Sequence, residues 1–106
     1  MGLFDRFRAP GMDEGVQQYR STAGAVLVDV REPDEYASGH VPGSVNLPLS
    51  RIRDAEDVLE DKSEPLFVYC LSGGRSGRAV AVLTSMGYTA VTNSGGISSY
   101  HGEVEK

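Results

Sequence analysis

Cys70 opens the stretch Cys70-Leu71-Ser72-Gly73-Gly74-Arg75-Ser76, in which a thiol and a guanidinium enclose four residues, two of them glycine. Gly73 and Gly74 permit backbone conformations closed to other residues, so the loop can curl with its N–H groups pointing inward. Such N–H clusters, set at the start of a helix, bind anions. A thiol placed there is held toward its thiolate, and the thiolate is the nucleophile. Arg75 adds a fixed positive charge suited to an anionic substrate. The expected chemistry is nucleophilic attack by an activated cysteine.

A lone cysteine is more often a small buried hydrophobe, and many strand-to-helix turns carry Gly and Ser without doing chemistry. Cys70 by itself would be read that way. The combination of one thiol, two loop glycines, Arg75 and Ser76 after an apolar run favours a functional site.

The elements around this loop follow from pattern. Leu66-Phe67-Val68-Tyr69 is a continuous apolar run, as expected of a strand buried on both faces of a parallel sheet. A helix is expected from about Ser76, with Ala79, Val80, Val82, Leu83 and Met86 as its apolar stripe and Gly87 as its stop. Ala25-Val26-Leu27-Val28-Asp29-Val30 is a second such strand. A helix is expected from Asp13, as N-cap, to about Arg20, with Val16 and Tyr19 facing inward. Residues 32–39 fit a short helix with Pro33 in its first turn, and Val45-Asn46-Leu47 a short strand. Residues 90–93 give another strand, and Ser94-Gly95-Gly96 a second glycine turn at the same sheet edge as Cys70. The chain closes with a short helix whose Tyr100 packs inward. Strands alternating with helices specify an α/β fold with a mostly parallel sheet.

Three further residues have types that suit a supporting role. Asp29 lies near the carboxyl end of its strand, where α/β sheets place their sites, with Arg31 two residues on. A structural charge and hydrogen-bond network is the preferred reading of that pair. Histidine is a side-chain type suited to general-base work, but for His40 an orienting or loop-packing role outweighs catalysis.

The chain has 106 residues and a net charge of −5, which fits one domain and argues against nucleic acid as partner. Residues 12–106 are read as that domain and residues 1–11 as a leader whose apolar members are Leu3, Phe4 and Phe7. No apolar stretch approaches membrane-spanning length, so no membrane partner is expected. A single cysteine excludes an internal disulfide and a self-contained zinc–thiolate site, which points to a reducing, cytoplasmic setting without metal or cofactor. Asp54, Glu56, Asp57, Glu60, Asp61 and Glu64 read as a solvated surface segment.

Four ordered motifs resemble the signatures of rhodanese-like domains. They are Asp29-Val30-Arg31-Glu32-Pro33-Asp34-Glu35-Tyr36, the run from Gly39-His40-Val41-Pro42-Gly43 to Leu47-Pro48, Tyr69-Cys70-Leu71-Ser72-Gly73-Gly74-Arg75-Ser76, and the stretch from Gly87-Tyr88 to Gly95-Gly96. The resemblance implies a single rhodanese-like domain with a roughly five-stranded parallel sheet and helices on both faces. It implies a sulfurtransferase in which Cys70 takes a sulfane sulfur from thiosulfate or a similar donor as a persulfide. The acceptor would be cyanide, a thiol or a protein cysteine. The N–H groups of Leu71 through Arg75 would cradle the outer sulfur, Arg75 would help hold the donor, and Ser76 would open the helix. Gly95 and Gly96 would support the loop.

The four-residue spacing suits a single sulfur bound to sulfur, whereas cysteine phosphatases and arsenate reductases use five residues to admit a tetrahedral oxyanion. With no second thiol to resolve the persulfide, the sulfur must leave to another molecule. A persulfide-carrier or sulfur-relay module serving one protein partner is the alternative, and a non-catalytic binding module a weaker third. Many family members carry tryptophan where this chain has Tyr100, which predicts a modest packing change.

Overall fold

The computed structural model describes residues 11–106, so the leader, Gly11 apart, lies outside the described residues. Ten elements follow in chain order: α1 (Met12–Ser21), β1 (Val26–Asp29), α2 (Pro33–Ala37), β2 (Val45–Asn46), a 3-10 turn (Leu49–Asp54), α3 (Ala55–Val58), β3 (Leu66–Cys70), α4 (Gly74–Ser85), β4 (Val91–Gly96) and a final 3-10 turn (Ile97–Ser99).

The strands form one parallel sheet in the order β2-β1-β3-β4, which puts β1 and β3 in the interior. Their continuous apolar sequences are what two covered faces require. Alternation divides their side chains. Leu27, Phe67 and Tyr69 pack with Met12 and Val16 of α1, while Val28, Val68 and Cys70 pack with Ala79 and Leu83 of α4. Helices therefore cover both faces, as expected.

The sheet has four strands among the described residues, against the five expected. The two apolar runs supply its centre, and β2 and β4 supply its edges. The remaining described segments are spent on helices, turns and the tail, which makes only an isolated bridge between His40 and Glu105.

Two helix starts differ from expectation. Gly11, not Asp13, is the N-cap of α1. Asp13 sits in the first turn, and its carboxylate accepts the His101 backbone N–H at 2.8 Å and faces His101 Nδ1 at 2.7 Å. A partner 88 residues away thus takes the group that local pattern assigns to capping. Helix α4 starts at Gly74, two residues early, because Gly73 at φ +105° turns the chain directly into it. The acidic segment lies at the surface as expected, with Asp54, Glu56, Asp57, Glu60 and Asp61 exposed, and it carries the end of the first 3-10 turn and α3, which buries Ala55.

Candidate active site

Cys70 is the last residue of β3, on the face covered by α4, and is only 1% exposed. Its sulfur accepts the Gly73 backbone N–H at 2.9 Å and lies 3.4 Å from Ser76 Oγ. That turn requires the left-handed conformation of Gly73, which a side chain would strain. Burial pushes the thiol pKa up. The Ser76 hydroxyl and the backbone N–H groups of Ser76, Gly73 and Ser72 outweigh burial, and the net result is a pKa below the ordinary thiol value. The local sequence therefore builds a recessed sulfur biased toward thiolate at the N-terminus of a 12-residue helix.

The glycine pair of β4 lies against this loop. A bulge between Val68 and Tyr69 brings Gly95 opposite Tyr69 and Gly96 opposite Cys70. A Cβ built on Gly96 would stand 2.2 Å from Leu71 O and 2.5 Å from Ser72 Cα, so only glycine lets the loop settle there. The Ser98 N–H holds Leu71 O at 3.1 Å, while Leu71 itself is 45% exposed. Gly95 and Gly96 thus belong to strand β4 and not to a free turn.

Ser76 and Asn93 join the two halves. Ser76 Oγ is 2.7 Å from Asn93 Oδ1, 3.0 Å from Gly73 O and 3.4 Å from Gly95 O. Asn93 also accepts the Gly95 N–H at 2.9 Å and donates from Nδ2 to Gly73 O at 3.3 Å. Sequence reasoning passed over Asn93. The usable signal was a polar residue near the carboxyl end of a parallel strand, the same signal that singled out Asp29.

Arg75 is engaged by a residue that sequence reasoning also passed over. Its Nη1 and Nη2 donate to the two carboxylate oxygens of Glu35 at 2.7 and 3.0 Å. Glu35 in turn accepts the Glu32 backbone N–H at 3.0 Å, closing a capping box at the start of α2. The Arg75 hydrogen bonds hold the Glu35 carboxyl well below the ordinary range, at about 2.

Asp29 and Arg31 form a buried bidentate pair, with Nε at 3.1 Å and Nη2 at 2.8 Å from Asp29 Oδ2. Nη2 also donates to Gly39 O at 2.8 Å, and the guanidinium lies 5.9 Å from the centre of the Tyr69 ring. The pair pins the turn after α2, in keeping with a structural role. His40 serves the same turn: its Nδ1 faces Tyr36 O at 2.8 Å, which makes that nitrogen the N–H donor. Its ring stacks on Tyr36 at 3.7 Å, and its backbone pairs with Glu105. The hydrogen bonds of His40 run to α2 and the tail and none to the cysteine loop.

Comparison with known proteins follows the same lines. A model of the rhodanese-like domain family matches residues 13–103. Thiosulfate sulfurtransferase PspE of Escherichia coli K12 is 41% identical over 71 residues, covering 66% of this chain and 68% of that protein. Thiosulfate sulfurtransferase GlpE of Pseudomonas syringae is 44% identical over 69 residues, covering 64% of this chain. The chain spans 63% of GlpE, just under two thirds of its length. A solved rhodanese from E. coli, determined with anions, superposes with a TM-score of 0.72 at 36% identity, covering 77% of this chain and 98% of that one. Family and relatives together support an enzyme of the rhodanese sulfurtransferase type, and the chain belongs to the rhodanese-like domain family.

Proposed function

We propose that this domain transfers sulfur through a persulfide on Cys70, from thiosulfate or a similar donor to cyanide, a thiol or a protein cysteine. The observation that carries the reading is the Cys70 sulfur, 2.9 Å from the Gly73 N–H in a four-residue loop, held toward thiolate. In the first half-reaction the thiolate attacks the sulfane sulfur of thiosulfate. An S–S bond forms to Cys70, and the donor's S–S bond breaks with its electron pair leaving on sulfite. In the second, an acceptor nucleophile attacks the outer sulfur and returns the Cys70 thiolate. The N–H groups of Leu71, Ser72, Gly73, Gly74 and Arg75 stabilise the outer sulfur's negative charge, and Ser76 steadies the inner one. Asp29, Arg31, His40, Gly95 and Gly96 hold the surrounding turns and act through position.

A relay to one protein partner remains the second reading, favoured by the absence of any other cysteine in the 106 residues. The reduced thiol that either reading needs fits a cytoplasmic setting. Among the described residues no helix is long and apolar enough to cross a membrane.

Intact-mass spectrometry before and after thiosulfate tests the proposal. The wild type should gain one sulfur atom and lose it to cyanide, and Cys70→Ser should gain none. A wild type that gains no sulfur from any sulfane donor overturns the persulfide reading.

A further inference from the structure

Arg75 is the loop's cation, yet its two terminal nitrogens are already committed to Glu35, 40 residues earlier. The carboxylate is pre-positioned for this. It sits at the third position of α2 and accepts the Glu32 N–H, and the helix is anchored onward through Tyr36 Oη, which donates to Ser44 O at 2.6 Å. Fixing a carboxylate in fork geometry on a guanidinium makes it a strong competitor for any incoming anion.

The neighbouring charges follow the same balance. Arg31, whose charge Glu35 also feels, is cancelled by the buried Asp29. Glu32 acts on Arg75 as a further anion, as does the Cys70 thiolate itself. Arg31 and Arg75 thus each face a carboxylate. A site built only to hold a dianion would keep Arg75 open.

Resting on the persulfide reading above, we infer that Glu35 is a specificity-determining residue: by neutralising Arg75 it biases the site toward singly charged sulfane donors over dianions. Thiosulfate carries two negative charges. Methanethiosulfonate has the same sulfane sulfur on a sulfonyl centre, with a methyl group in place of one charged oxygen. Each loads Cys70 with the same balance, the first releasing sulfite and the second methanesulfinate.

The test compares Glu35→Gln with wild type in single-turnover loading, read by intact mass under subsaturating donor. Glutamine retains the capping-box acceptor for the Glu32 N–H, so α2 keeps its start and only the charge is removed. The Coulomb energy scales with donor charge, so its effect on log rate should be twice as large for the dianion. Loading by thiosulfate should rise roughly tenfold and loading by methanethiosulfonate about threefold. The ratio of the two rates then rises about threefold. An unchanged or lower ratio overturns the inference while leaving the persulfide reading intact, since Cys70 still gains sulfur. If neither donor loads the wild type, both fall together.

Discussion

The Ser76 hydroxyl lies 2.7 Å from Asn93 Oδ1 and so ties the first turn of α4 to strand β4, at a point 3.4 Å from the Cys70 sulfur. Asn93 is the hub of this tie, because it also engages Gly95 N and Gly73 O. Asn93→Ala should cost about 1–3 kcal/mol, chiefly by leaving the Gly95 N–H without its acceptor. Thermal unfolding should show the loss, at about 4–8 °C per kcal/mol for a domain near this size. Persulfide loading should slow in the same variant. An unchanged melting temperature would show that water replaces the side chain without penalty.

The pH dependence of loading should change when Ser76 is altered. Burial raises the Cys70 pKa, and the Ser76 hydroxyl is the largest of the hydrogen bonds that bring it down. Ser76→Ala therefore moves the thiol pKa upward, so less thiolate is present at neutral pH and loading becomes several-fold slower there. The loss should shrink as pH rises past the new pKa. Rates of thiol alkylation measured across pH check this independently of the donor, and a profile identical to wild type would remove Ser76 from the activating set.

Gly96→Ala should damage the loop more than the sheet. The new methyl would meet Leu71 O and Ser72 Cα, both backbone atoms that cannot turn aside as a side chain would. Overpacking of this kind costs about 1–3 kcal/mol. Displacement of the N–H groups around the sulfur should lower the loading rate on the order of tenfold to a hundredfold. Loading at the wild-type rate in a folded variant would show that the contact is not needed.

Glu35 also makes an acid-dependent contribution to stability. Its pKa falls from 4.5 to about 2 on folding, chiefly through Arg75. A lowered folded value stabilises the native state above the unfolded pKa, and that stability disappears as pH drops from 4.5 toward 2. Both side chains are about 30% exposed, so solvent screening limits the net gain to about 1 kcal/mol. Urea unfolding of wild type and Glu35→Gln should differ by this amount at neutral pH and converge in acid. A difference that persists at low pH would assign it to packing.

Much of this arrangement was readable from local sequence. The apolar runs over 25–30 and 66–69 gave the two central strands, which end at Asp29 and Cys70, since a strand covered on both faces has no room for polar alternation. Gly73, at φ +105°, and the stop at Gly87, at φ +102°, were legible because their conformations demand that residue type, whereas Gly74 is helical. What escaped depends on partners distant in the chain. Asp13 reads as a cap until His101 is known to stand beside it, and Arg75 reads as open until Glu35 is found across it. Asn93 carries no local mark of its contact with Ser76. The starts of α4 and the glycine end of β4 were shifted because glycine lowers strand and helix propensity while this fold uses it for close approach.

The recessed position of Cys70 makes the two halves of the proposed cycle unequal in what they can discriminate. With Cys70 only 1% exposed, a donor must thread its sulfane atom inward to reach the thiolate. In the proposed loaded state, the reactive sulfur would be one S–S bond, about 2 Å, beyond the Cys70 sulfur. An acceptor therefore meets a shallower target than the donor did. In the proposed cycle, selection by shape would therefore fall mainly on the molecule that gives the sulfur.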